Sequence, residues 1–101
     1  ENVMPAEVEA ELETHPQILR AVVFGLPDAE WGEIVVAVLV ADGSPPTDAD
    51  LRLWCDDRFA SFRRPRRIAW LEALPETPMG KINRQAVKVV IEAAAGGLIE
   101  L

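Results

Sequence analysis

Glu33-Ile34-Val35-Val36-Ala37-Val38-Leu39-Val40-Ala41 is the stretch on which the fold turns. A half-buried strand alternates apolar and polar residues, but Ile34 to Val40 is apolar throughout and rich in β-branched side chains. It therefore reads as a strand covered on both faces, and so as the centre of a sheet. Such a strand needs a layer above and a layer below.

The flanking sequence offers those layers. Ile18 to Leu26, with Val22 and Val23, predicts a second strand ending in the turn signal Gly25-Leu26-Pro27-Asp28. The loop between the two strands contains Trp31-Gly32. Ahead of them, Met4-Pro5 followed by Ala6 to Thr14 predicts a helix. Proline suits its first turn, Glu7 and Glu9 favour the positive end of its dipole, and Val8 and Leu12 share a face. His15-Pro16 stops it.

Downstream, Gly43-Ser44-Pro45-Pro46 is a connection, and Thr47 with Asp50 resembles a capping box in which Asp replaces Glu. The helix it opens aligns Leu51, Trp54, Cys55, Arg58 and Phe59 at spacings of three and four, a buried stripe with an arginine at its edge. A basic loop follows, then a third short strand from Arg67 to Leu71. Asn83 caps a last helix with an expected inner face of Ala86, Val87, Val90, Ile91 and Ala94, and Gly96-Gly97 ends it. The fold class is α+β: a small sheet of about three main strands covered by about three helices.

Half of the 101 residues are hydrophobic, enough for one packed domain spanning residues 1–101 and too few for two cores. No apolar run approaches the ~20 residues that cross a bilayer, and the N-terminus lacks the layout of a secretion signal. The single cysteine, Cys55, cannot form an internal disulfide, so a reduced, cytoplasmic setting fits best and core packing is its expected role. His15 is expected to be structural.

The net charge of −7 argues against a general nucleic-acid binder. It also hides a segregation. Arg20 is the only basic residue before Arg52, whereas Arg58, Arg63, Arg64, Arg66 and Arg67 crowd one segment with Phe62 and Pro65. Either these arginines are a solvated surface, or they form a fixed loop able to grip a phosphorylated ligand.

In chain order, Glu1-Asn2-Val3-Met4-Pro5-Ala6-Glu7-Val8-Glu9, His15-Pro16, Val23-Phe24-Gly25-Leu26-Pro27-Asp28, Trp31-Gly32-Glu33, Phe62-Arg63-Arg64-Pro65 and Leu74-Pro75-Glu76-Thr77-Pro78-Met79-Gly80-Lys81-Ile82-Asn83-Arg84 resemble the C-terminal domain of the adenylate-forming superfamily. That superfamily includes acyl- and aryl-CoA synthetases, adenylation domains of nonribosomal peptide synthetases, and luciferases. Each motif is weak alone; together, in the family's order and spacing, they are a strong signal.

The resemblance implies a lid domain of an AMP-forming acyl-CoA ligase for a fatty or aryl acid, with a short-chain acid also left open. Such enzymes turn a carboxylic acid and MgATP into an acyl-adenylate, then pass the acyl group to a thiol. It further implies that the chain is a fragment starting just after the hinge, that its partner is its own large N-terminal domain, and that alone it is inactive. Lys81 matches the lysine that enters the ATP site during adenylation, with Gly80 beside it on the ATP side; its plainer reading is a surface lysine at a helix start. Trp31, Gly32 and Asn2 match positions near the tunnel for the pantetheine arm of CoA, and Phe62, Arg64 and Arg66 positions near its nucleotide end. Trp31 could instead cover the sheet edge. Arg63 departs from the lysine common at its position, and its role is open. No metal ligand is implied. A carrier-protein-loading enzyme (a peptide synthetase or fatty-acyl-AMP ligase) is the near alternative, and a non-catalytic binding module the remote one.

Overall fold

A computed structural model describes residues 4–101, apart from the side chain at position 95. Its elements are α1 (Pro5–Leu12), β1 (Ile18–Asp28), β2 (Gly32–Ala41), α2 (Asp48–Arg58), β3 (Pro65–Leu71), α3 (Arg84–Ala93) and β4 (Ile99–Glu100), with short 3-10 turns at Ser61–Arg63 and Ala95–Gly97. The sheet runs β1-β2-β3-β4, with β2 antiparallel to β1 and parallel to β3, and β4 antiparallel to β3.

β2 is buried at every position from Ile34 to Val40, as its unbroken apolar run requires. Its residues divide between two cores by strand alternation. Val35, Ala37 and Leu39 join Val8 and Leu12 of α1 and Leu51 and Cys55 of α2 on one face. Ile34, Val36 and Val38 meet Val87 and Ile91 of α3 on the other.

The caps fall where the local chemistry puts them. Thr47 Oγ1 accepts from the Asp50 amide at 3.1 Å, and Asn83 Oδ1 from the Ala86 amide at 3.1 Å. The β1–β2 hairpin closes over Ala29-Glu30-Trp31. Asp28 Oδ2 accepts from the amides of Glu30 and Trp31, and Gly32 takes φ +81, a left-handed conformation that suits glycine.

The expected α+β fold with three main strands and three helices is present, and a two-residue fourth strand, β4, extends the sheet beside β3. One expectation needs correcting. The inner face of α3 is narrower than expected: Val87 and Ile91, four residues apart, take the sheet, while Val90 and Ala94 are exposed on its flank. Among the described residues no helix is long and apolar enough to cross a membrane.

Candidate functional site

Lys81 stands at the end of a loop closed on itself. The Thr77 amide donates to Lys81 O at 2.7 Å and the Gly80 amide to Thr77 O at 2.9 Å, and Glu76 bridges to Ile82 in antiparallel fashion. The Asn83 amide donates to Pro75 O at 2.8 Å, joining the loop to the start of α3. Gly80 sits at φ +83, the backbone conformation its place before Lys81 suggested. The Lys81 side chain is exposed, and among the described residues no carboxylate lies within ion-pair distance of it. Leu74 and Ile82 pack the loop onto the α3 face of the sheet.

On the other face the structure brings Trp31, Phe62 and Arg66 together. A groove of about 520 Å³ runs between the two aromatics over Gly25, Glu33 and Val35. The Glu33 carboxylate occupies the space above Gly25, where a Cβ would come within 2.8 Å of it. Trp31 and Phe62 remain 58% and 48% exposed, unusual for large apolar side chains in a domain with a well-filled core. The Arg66 guanidinium lies 4.4 Å from the Trp31 ring centroid, a cation–π stack that fixes both at the rim.

The arginine cluster divides. Arg58 reaches Glu11, Arg63 reaches Glu7, and Arg67 lies between Asp28 and Glu100. Arg64, expected on the CoA side with Arg66, is turned inward and nearly buried. Its Nε is 3.2 Å from Asp56 Oδ1, and its Nη1 donates to the main-chain oxygen of Leu101 at 3.1 Å. Burial lowers its pKa, and nearby Arg52 lowers it further. Arg66 alone in this cluster has no acidic partner among the described residues. Asn2 lies outside the described residues.

Cys55 and His15 have the structural places expected of them. Cys55 is fully buried, and loss of solvation pushes its thiol pKa up to about 11, so it holds little thiolate at neutral pH. His15 Nδ1 accepts from the Gln17 amide at 2.9 Å while its ring meets Trp54 edge-on at 4.9 Å.

Sequence reasoning missed the work of two glutamates, Glu9 on α1 and Glu13 just past its end. β1 is an edge strand, and its outward amides at Ala21 and Val23 donate to Glu13 Oε2 and Glu9 Oε2, at 3.0 and 2.8 Å. The helix thereby covers an edge that could otherwise pair with another chain. The spacing of Glu9 and Glu13, one turn apart on one face, was the available signal.

The chain as a whole is similar to known proteins. Residues 7–81 match the AMP-binding enzyme C-terminal domain. A fatty acid–[acyl-carrier-protein] ligase of Streptomyces coeruleorubidus is 44% identical over 89 residues, covering 87% of this chain and 17% of that protein. An uncharacterized acyl–CoA ligase of Bacillus subtilis is 40% identical over 91 residues, covering 90% and 18%. Among solved structures, the Mycobacterium tuberculosis fatty acyl CoA synthetase superposes with a TM-score of 0.82 at 35% identity, covering 93% of this chain and 19% of that one. The chain thus spans less than a fifth of the length of these relatives. Sequence motifs, helix and strand order, and superposition all agree, and the chain belongs to the AMP-binding enzyme C-terminal domain family.

Proposed function

We propose that this chain is the lid of an AMP-forming acyl-CoA ligase, working with a large adenylating domain and supplying Lys81 to one half-reaction and the Trp31–Phe62–Arg66 groove to the other. The observation that carries the reading is the placement of these two features. An exposed lysine with no acidic partner among the described residues stands on a closed loop on one face of the sheet, and an aromatic groove with an available guanidinium opens on the opposite face. A lid that turns between two poses needs two such working faces.

In adenylation the carboxylate of the acid attacks the α-phosphorus of ATP and pyrophosphate leaves. Negative charge grows on the phosphoryl oxygens, and the Lys81 ammonium can hold both those oxygens and the incoming carboxylate. Gly80 lets the loop turn so that the lysine projects. In thioester formation the thiol of the pantetheine arm passes along the Trp31–Gly32 rim while Phe62 lies beside the adenine and Arg66 meets a phosphate. Arg64, held by Asp56 and Leu101, is turned away from this role. Among the described residues no group of three or more His, Cys, Asp or Glu is placed to hold a metal ion. A cytoplasmic setting suits ATP- and CoA-dependent chemistry and a single buried thiol.

Loading of a carrier protein is the second reading, favoured by the 44% identity to an acyl-carrier-protein ligase. Arg66 favours free CoA, whose adenosine phosphates give a guanidinium more to hold than a tethered pantetheine does.

The test is Lys81→Ala in the full-length enzyme, with the half-reactions measured apart. Pyrophosphate exchange should fall by the equivalent of about 2.7 to 4 kcal/mol, the scale of a lost oxyanion donor. Thioester formation from pre-made acyl-adenylate should persist. Equal loss in both would refute the assignment.

A further inference from the structure

Arg84 is the first residue of α3 and lies three positions after Lys81. Its Nη1 donates to Glu9 Oε2 at 2.8 Å, and its Nη2 to the Val23 carbonyl at 3.0 Å. Glu9 Oε2 also accepts from the Val23 amide at 2.8 Å. Both polar groups of one edge-strand residue are thus engaged by an acid from α1 and a base from α3. The guanidinium also lies 5.3 Å from the Phe24 ring centroid.

The backbone bonds of the Lys81 loop join Pro75 to Asn83 and, among the described residues, reach no other element. Apolar contacts at Val87 and Ile91 hold α3 to the sheet, and such contacts are non-directional. The directional bonds from its first turn to α1 and β1 belong to Arg84. From this we infer that Glu9 and Arg84 are positioning residues: together they fix the first turn of α3 against β1 and so set where the base of Lys81 stands. The inference rests on the reading of Lys81 as the adenylation lysine. The Arg84 side chain is 46% exposed, so the pair adds little to stability. Its contribution is geometric, and a displacement of about 1 Å at a reacting group can cost about 10²-fold in rate.

The experiment uses the full-length ligase, with Lys81→Ala run in parallel. Arg84→Ala should lower the kcat of pyrophosphate exchange by about 10- to 100-fold, leaving the KM for ATP and the thioester half-reaction within about two-fold of wild type. Arg84→Lys keeps the charge but cannot span Glu9 and Val23 together, and should fall between. Glu9→Gln should lower exchange in the same way. Glu9→Gln combined with Arg84→Ala should be no worse than Arg84→Ala alone, because the two act as one unit. Wild-type exchange in Arg84→Lys and Glu9→Gln, equal loss in both half-reactions, or additive losses in the double variant would each overturn the inference while Lys81→Ala remains inactive in exchange. Wild-type exchange in Lys81→Ala would instead overturn the reading beneath it.

Discussion

Arg64 Nη1 donates to the main-chain oxygen of Leu101 at 3.1 Å, so an arginine from a basic surface segment serves as an internal tie. Arg52 donates to the same oxygen at 2.9 Å, and the Asp56 carboxylate pairs with both guanidinium groups, one oxygen to each. The Leu101 amide in turn donates to Arg66 O at 2.9 Å, and its side chain is buried in the core under α2. β4 has two residues, and this arrangement holds it in the sheet.

Arg64→Ala should therefore destabilise the 101-residue chain by about 2 kcal/mol, the range for losing charge-assisted bonds at a nearly buried site. Arg66→Ala should cost little by the same measure. Urea unfolding of the two variants checks this, and equal midpoints would show that Arg64 is no more structural than Arg66.

That division was not legible in the sequence. Arg64 and Arg66 are two positions apart in one run, and only Asp56 on α2 and the returning chain end at Leu101 tell them apart. β4 escaped notice for a related reason, since two residues carry no periodicity and the strand exists through pairing with Arg67 and Ile68. Features set locally could be read directly: the apolar run of β2, the caps at Thr47 and Asn83, and the glycine before Lys81. Trp31 and Phe62 were legible as candidates, but that they flank one groove follows from the hairpin folding back toward the Ser61–Arg63 turn.

His15 carries a pH prediction. Burial, and then the nearby Arg58 charge, lower its pKa below the ordinary 6.5, because the folded state favours the neutral ring. The unfolded chain then takes up the proton first as pH falls. The contribution of His15 is full above about 6.5 and is lost as pH drops through the lower folded value. Protonation also removes the acceptor for the Gln17 amide. Unfolding midpoints of wild type and His15→Gln, compared from pH 8 to pH 5, should converge at the acid end. A constant gap would show that the ring does not titrate in this window.

Gly80 has φ +83 with nothing within 4 Å of where a Cβ would stand, so alanine there meets no clash and its cost is conformational alone. Gly80→Ala should destabilise the chain by about 1 to 2 kcal/mol, and Gly80→Asn by less, since asparagine tolerates this backbone region. Urea unfolding would reveal it. A neutral Gly80→Ala would mean that the turn rearranges freely, and that Lys81 is not held by it.

The choice between free CoA and a carrier protein rests on Arg66, the arginine of the 58–67 cluster without an acidic partner among the described residues. Trp31 holds its guanidinium at 4.4 Å, and a planar cation held in place by an aromatic ring loses little freedom on meeting a phosphate. Arg66→Ala in the full-length enzyme should raise the KM for CoA roughly five-fold, the equivalent of about 1 kcal/mol for one exposed contact. The effect should shrink as salt rises, because exposed charges are screened within about 10 Å at 0.1 M. It should vanish when phosphopantetheine replaces CoA, since the adenosine phosphates are gone, while pyrophosphate exchange stays near wild type. A variant that uses CoA normally but fails with an acyl carrier protein would give the groove to a carrier, whose acidic surface would then be what Arg66 meets. Normal use of both acceptors would leave Arg66 a surface cation that does no more than cover Trp31.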